Sequence, residues 1–333
     1  MFGVASAPAQ STRKAALNIQ VVTPPFAHTQ SGNELTAFRY ARLLRALGHR
    51  VAVDTVWSGS ACDVLIALHA RRSHASIARF AERCPTRPLI VVLTGTDLYR
   101  DIHSDPEAQL SLQLASRLVV LQAMGVLELP ESFRRKTRVI YQSAPSLRAQ
   151  PTLPTTTFRV SVIGHLRPEK DPFRTALAAR QLPARSRARV VQVGAALSED
   201  MMRQAQQEPA ANPRYRWLGP KRHWQARRLL ASSHLTSITS VMEGSSNVLC
   251  EALASCVPVV ASRISGLIGT LGDDYPAYFP VGDTDALARL LERLEFDRAF
   301  YDDVRERCAA KGELVRPDRE LAAWAETIAD VVA

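Results

Sequence analysis

The sequence predicts an α/β protein made of two doubly wound, parallel-sheet domains. Three observations predict it. Short β-branched runs alternate with helical stretches over residues 15–145, and a second such series starts at Phe158. Between them, Pro151-Thr-Leu-Pro-Thr-Thr-Thr157 carries no periodicity and reads as a linker. A chain of 333 residues is long enough for two domains that each bury a core. The expected divisions are a flexible extension at 1–14, a first domain at 15–150, the linker at 151–157, a second domain at 158–314 and a terminal helix at 315–333.

The first apolar run, Asn18–Thr23, reads as a strand. A loop from Pro24 to Asn33 follows, with Gly32 near its end, and then a helix from about Glu34 to Leu47. Gly48-His49 stops that helix and Arg50–Val56 is the next strand, which completes a βαβ unit. Val64–Leu68 ends at His69, and Leu89–Leu93 ends at Thr94-Gly95-Thr96-Asp97; Leu118–Leu121 and Val139–Tyr141 follow. Ligands of such sheets sit at the carboxyl ends of the strands, so the segments that matter are His28–Asn33, His69, Thr94–Asp97 and Gln142-Ser143. In the second series the strands are Phe158–Ile163, Val190–Val193, Arg216–Leu218, Leu235–Thr239 and Val257–Ala261. The last helix, Pro317–Val332, carries Leu321, Trp324, Ile328 and Val331 on one face.

The stretch Val241–Ser262 carries the most chemistry. A glycine-containing loop enters a short helix with Val248, Leu249, Ala252 and Leu253 on its apolar face, and Val257-Pro-Val-Val260 closes it as a buried strand. Ser246 or Asn247 can cap the helix, whose free amides favour a phosphate. Glu243 and Glu251 bracket that end; three residues after Asn247 stands Cys250, so Glu251 is not half of a capping box. A carboxylate beside a phosphate-binding helix end suits a sugar or ribose hydroxyl.

Gly164-His165-Leu166-Arg167-Pro168-Glu169-Lys170 follows the second domain's first strand, and a glycine turn with two cations there can clamp a diphosphate. Gly32 with Asn33 opens the first helix and is a second possible anion site. Thr94–Asp97 can hold a small tetrahedral anion or a sugar hydroxyl, or can be a turn whose aspartate caps the next helix. Asp283-Thr284-Asp285 precedes a helix and reads as its cap, not as a metal ligand.

Composition narrows the class. With 46% hydrophobic and 22% charged residues the chain is globular, and it has no apolar run of membrane-spanning length and no signal-peptide core. Five scattered cysteines without C-x-x-C pairs point to reduced thiols in a cytoplasm, with Cys250 and Cys256 read as small core residues. No histidine spacing suggests a metal, and no cofactor is expected. A net charge of +10 fits anionic substrates; the basic clusters lack interleaved aromatics, so neither nucleic acid nor membrane is an expected partner.

Glu243-Gly244, the Glu-x7-Glu spacing, and Glu251-Ala-Leu-Ala followed by Pro258-Val-Val-Ala resemble the nucleotide-sugar site of family 4 glycosyltransferases of the GT-B fold. The resemblance implies an interdomain cleft and a terminal helix crossing back to the first domain. It places the ribose on Glu251, the donor sugar on Glu243 and the diphosphate on the backbone of Ser245, Ser246, Asn247 and Val248. Lys170 matches the family lysine, whereas His165 stands at the usual arginine position with Arg167 two residues on. Either Arg167 reaches in or His165 takes a new role. Trp217-Leu-Gly-Pro-Lys221 matches, more weakly, a loop that lines the base; Trp217 itself reads as core.

Ser31-Gly-Asn-Glu-Leu-Thr-Ala, Leu93-Thr-Gly-Thr-Asp-Leu-Tyr, Gly164-His-Leu-Arg-Pro-Glu-Lys-Asp and Glu243-Gly-Ser-Ser-Asn-Val together resemble one subfamily, the selenosugar synthases of the selenoneine pathway. That implies sugar transfer from a UDP-sugar, with UDP-N-acetylglucosamine the expected one, to selenophosphate, and then loss of phosphate. Arg167, Lys170, Glu243 and His165 are the expected catalytic residues. Gly32, Gly164, Ser245, Ser246, Asn247, Val248, Glu251 and Lys221 are expected on the donor, and Asn33, His69, Thr94, Gly95, Thr96 and Asp97 on the acceptor. Partners would be small-molecule substrates and other enzymes of the same pathway. The alternatives are a family 4-like enzyme with a hydroxyl acceptor and a non-catalytic nucleotide-sugar-binding protein.

Overall fold

A computed structural model describes residues 16–25, 32–147 and 151–332. The expected extension at 1–14 lies outside the described residues, as do positions 26–31 of the first loop, among them His28 and Ser31.

Continuous apolar runs dictate the first sheet. Its strands are β1 (Asn18–Val22), β2 (Arg50–Asp54), β3 (Val64–Leu68), β4 (Leu89–Leu93), β5 (Arg117–Val120) and β6 (Thr137–Val139). Their order is β2-β1-β3-β4-β5-β6, parallel throughout. β3 and β4 are buried along their whole length, as strands covered by helices on both faces must be. The direction of strand order reverses at β1, which opens a crevice at the carboxyl ends of β1 and β3.

The second sheet comprises β7 (Phe158–Ile163), β8 (Ala188–Val193), β9 (Tyr215–Trp217), β10 (Leu235–Ile238), β11 (Val259–Ser262) and β12 (Tyr278–Phe279). Its order, β12-β11-β10-β7-β8-β9, reverses at β7, so its crevice lies between the ends of β7 and β10. The edge strand β12 was not foreseen, because two residues carry no readable alternation. β6 was expected over Val139–Tyr141 but covers Thr137–Val139; beyond it the apolar residues belong to the crossover toward the second domain.

The first helix runs from Gly32 to Ala46 and the terminal helix from Pro317 to Val332. The terminal helix packs on the first domain. Trp324 and Ile328 share a core with Ile19, Tyr40 and Ile66, and the Tyr40 and Trp324 rings meet edge-on at 4.6 Å. Arg117 on β5 and Arg138 on β6 both pair with Asp330. A second join is made by helix Ser265–Leu271, where Gly269 lies against Gln122 and its carbonyl accepts the Tyr141 hydroxyl at 3.0 Å. Asp283 caps its helix by accepting the Ala286 N–H at 2.8 Å.

Cys250 is buried, but Cys256 is not the core residue expected. It is exposed with φ +53°, just past the Ser255 C-cap of helix Asn247–Ala254, where the left-handed turn that ends a helix favours glycine.

Candidate active site

The crevice of the second sheet gathers the loop after β7 and the loop after β10. Gly164 and Gly194 both take positive φ, and a Cβ on Gly194 would fall 1.8 Å from the Gly164 carbonyl oxygen. Only glycine lets these strand ends close so tightly. His165 fastens them further, its Nδ1 accepting the Ala195 N–H at 3.2 Å. The chain then turns through Pro168–Lys170 onto the neighbouring loop: the Val241 N–H donates to the Glu169 carbonyl at 2.9 Å, and the Thr239 hydroxyl to that of Lys170 at 2.8 Å. Lys170 Nζ is thereby delivered to the Glu243 carboxylate, whose same oxygen also accepts the Ser240 hydroxyl at 2.6 Å. The pair is largely shielded, with side chains 22% and 8% exposed, so its charges act across a medium far less screening than water.

Ser246 is the cap of helix Asn247–Ala254 and accepts from the Leu249 N–H. That leaves the Asn247 and Val248 amides at the open end. Leu249, Cys250, Ala252 and Leu253 are buried, which fixes the helix against the core and aims its amino end at the crevice. One cavity is walled by Gly164, His165, Lys170, Glu243, Ser246 and Val248. Glu251, one turn along, is 7% exposed and bonds His223 Nε2 at 2.5 Å. His223 escaped the sequence reading; its only signal was adjacency to the loop ending at Lys221, and its partner lies 28 residues away.

The first domain supplies the opposite wall. A Cβ on Gly32 would sit 3.7 Å from Asn247 Nδ2, so the amino end of the first helix meets that of Asn247–Ala254. Asn33 follows it, partly buried. Thr94-Gly95 presses against the Glu243-Gly244 loop, and a Cβ on Gly244 would be 2.2 Å from the Thr94 carbonyl oxygen. Asp97, fully buried, accepts N–H groups from Thr94 at 3.0 Å, Gly95 at 2.8 Å and Ala70 at 3.0 Å. Its carboxylate shapes the loop through amides that precede it, and the helical turn Asp97–Asp101 follows Thr96 without the aspartate cap foreseen for it. His69, at φ +73°, accepts the Arg72 N–H on Nδ1 at 3.2 Å and meets the Thr96 hydroxyl through Nε2 at 2.9 Å. Burial, the largest influence, holds its pKa below the ordinary 6.5, with Asp97 opposing.

Two expected positions, Arg167 and Lys221, lie away from the cavity wall. Arg167 does not wall the cavity; its half-exposed side chain lies 3.9 Å from Glu169, and His165 takes the wall instead. Lys221 is exposed, and Trp217 packs on the core with its indole N–H on the Gly194 carbonyl at 2.9 Å. A cation that was not foreseen reaches the site from the first helix: Arg39 Nη1 donates to Asn247 Oδ1 at 3.1 Å. The assembled groups suit a ligand with an anionic centre between two helix ends and hydroxyls beside Glu243 and Glu251.

Three solved structures share this architecture. Sucrose-phosphate synthase from Thermosynechococcus elongatus aligns at TM-score 0.77 and 15% identity over 95% of this chain and 99% of its own. Anabaena HepE, solved with UDP and glucose, aligns at 0.75 and 18% identity over 94% of this chain and 100% of its own. An E. coli protein described as trehalose-6-phosphate, with bound UDP-2-fluoro glucose, aligns at 0.72 and 12% over 94% and 98%. Among curated proteins nothing matches this chain. The two six-stranded domains are those of the GT-B fold. The family model described as glycosyl transferases group 1 matches residues 143–314, just over half of the sequence and the whole of the cavity-bearing domain. The chain therefore belongs to the group 1 glycosyltransferases.

Proposed function

We propose that this glycosyltransferase moves a sugar from a UDP-sugar, with UDP-N-acetylglucosamine the expected donor, to selenophosphate, acting in the cytoplasm and without a cofactor. The observation that carries the reading is the meeting of two helix amino ends, at Gly32 and Asn247, beside the Lys170–Glu243 pair. The diphosphate rests on the Ser245–Val248 amides with Lys170 alongside, and Glu251 takes the ribose. The bond from the anomeric carbon to the diphosphate oxygen breaks, and its electron pair leaves with UDP. Lys170 and the helix end offset that charge. Selenium supplies the new bond to the same carbon. Water then cleaves the phosphorus–selenium bond, which releases phosphate and a 1-selenosugar.

A hydroxyl acceptor would need a base. His69 is 2% exposed with both ring nitrogens engaged, and Asp97 is held by three backbone amides. An acceptor that arrives already ionised asks nothing of either, and a second helix end suits its phosphate. The bound UDP of HepE supports the choice of nucleotide. Among the described residues no helix is long and apolar enough to cross a membrane.

Mass spectrometry of a reaction containing UDP-N-acetylglucosamine and selenophosphate tests the proposal, the expected product being a selenosugar formed together with UDP. Donor consumption by alcohols but not by selenophosphate would refute the acceptor while leaving the donor site standing.

A further inference from the structure

The amino-terminal domain reaches into the donor-binding wall of the other domain through one side chain. Arg39, on the first helix, has only a tenth of its side chain exposed, and its Nη1 donates to Asn247 Oδ1 at 3.1 Å. A guanidinium has donors and no acceptor, so it can meet Asn247 only through the amide oxygen. The amide NH2 is thereby turned the other way, and Nδ2 lies toward Gly32 between the two helix ends. The orientation matters because the two faces of an asparagine amide have nearly the same shape and opposite polarity. With NH2 inward, Asn247 adds a donor to the helix-end amides; with Oδ1 inward, it would repel a phosphate.

Arg39 is itself held. Its Nε donates to Glu320 Oε1 at 3.1 Å, and the Glu320 side chain is fully buried. The other Glu320 oxygen accepts the Ser143 N–H at 2.8 Å and also the Ser143 hydroxyl. Ser143 lies where the chain leaves the first sheet, and Glu320 lies in the terminal helix that returns to it. Both connections between the domains therefore meet at Glu320, which holds the arginine that grips Asn247.

Resting on the donor reading above, we propose that Arg39 is a positioning residue that locks the Asn247 amide with its donors toward the nucleotide diphosphate. The lock spans the two domains, so it exists only while they hold the arrangement seen here. Parting them breaks the Arg39–Asn247 bond and frees the amide to turn. The structure thus links donor affinity to domain closure through one hydrogen bond.

The test is a double-mutant cycle on UDP binding, read by calorimetry, with KM for the UDP-sugar and kcat measured in parallel. Arg39→Met and Asn247→Ala should each weaken UDP about tenfold, the worth of one charge-assisted hydrogen bond, and the double variant should be no weaker than either alone. For Arg39→Met the loss should appear chiefly in KM for the UDP-sugar. Asn247→Asp, which keeps an acceptor for Arg39 but replaces the NH2 by oxygen, should bind UDP more weakly than Asn247→Ala.

Unchanged UDP affinity in Arg39→Met, or losses that multiply in the double variant, would overturn the proposal. A lowered melting temperature with normal UDP binding would do the same, because it would reduce Arg39 to a scaffold residue. Should Arg39→Met fail to fold, Arg39→Lys takes its place, since it keeps the charge beside Glu320 but lacks the fork that serves two partners at once. It must show the same rise in KM, and a normal KM would count against the lock. Failure of the parent protein to bind UDP is a separate result, which would remove the donor reading itself.

Discussion

Gly244→Ala tests whether the two loops that face each other across the domains must touch as they do here. A methyl group at that position would lie 2.2 Å from the Thr94 carbonyl oxygen, 2.4 Å from its carbon and 2.8 Å from the Gly95 nitrogen. All three are backbone atoms, so no side chain can swing aside. Comfortable carbon contacts begin near about 3.5 Å, so the loops must part by about an ångström. Glu243 precedes the substituted residue directly and Ser246 caps the helix two positions on, so the displacement falls on the donor wall. Overpacking of this kind costs about 1–3 kcal/mol of stability, and a misplacement of about 1 Å near reacting groups lowers turnover on the order of a hundredfold. The assay is UDP release at saturating donor, with urea unfolding in parallel. Gly48→Ala is the control: its φ is +92° with nothing within 4 Å of the added methyl, so it costs about 1 kcal/mol of backbone strain and leaves turnover unchanged. A Gly244→Ala enzyme that keeps its parent's turnover would refute the claim that this contact sets the site.

Lys170→Ala should slow turnover, whereas Glu251→Gln should mainly raise the Kd for UDP, each by about tenfold or more; stopped-flow and calorimetry separate the two, and normal activity in both variants would discard the site assignment. Burial holds His69 neutral in the folded protein, below its ordinary pKa of 6.5, so the unfolded chain binds the extra proton. The stability this contributes is present above pH 6.5 and is lost as pH falls through the lower, folded value. Melting temperature should therefore drop on acidification through that window, and His69→Gln should flatten the drop. Cys256→Gly relieves a left-handed residue and should raise the urea midpoint by about 0.5–1 kcal/mol equivalent, with activity unchanged.

The parts of the molecule that depend on neighbours in sequence could be read from the chain. Val64-Leu-Ile-Ala-Leu68 and Leu89-Ile-Val-Val-Leu93 can only be doubly covered strands, and the helix opened by Ser246 and Asn247 announces itself by its cap and its apolar face. The Glu243–Glu251 spacing was legible for the same reason. Side chains whose partners are distant were not. Arg39 looks like any solvent-facing cation on a helix until Asn247, 208 positions away, arrives beside it. His223 gave no sign of Glu251. The choice between Arg167 and His165 was posed by the sequence but needed the fold to decide it, which sets Arg167 beside Glu169 and His165 on the wall. Cys256 misled because thiols are usually interior, whereas backbone geometry after a helix decides that position.

Trp324 carries a consequence for how the gene can be divided. The hydrophobic filling of the first sheet is completed by a segment encoded after the whole of the second domain, so a clone stopped at the proline–threonine stretch would yield a half-molecule with a raw apolar groove. Splicing codons 317–332 onto that clone would restore the missing plug, and a permuted gene that begins with the tail would bring the two pieces together during synthesis.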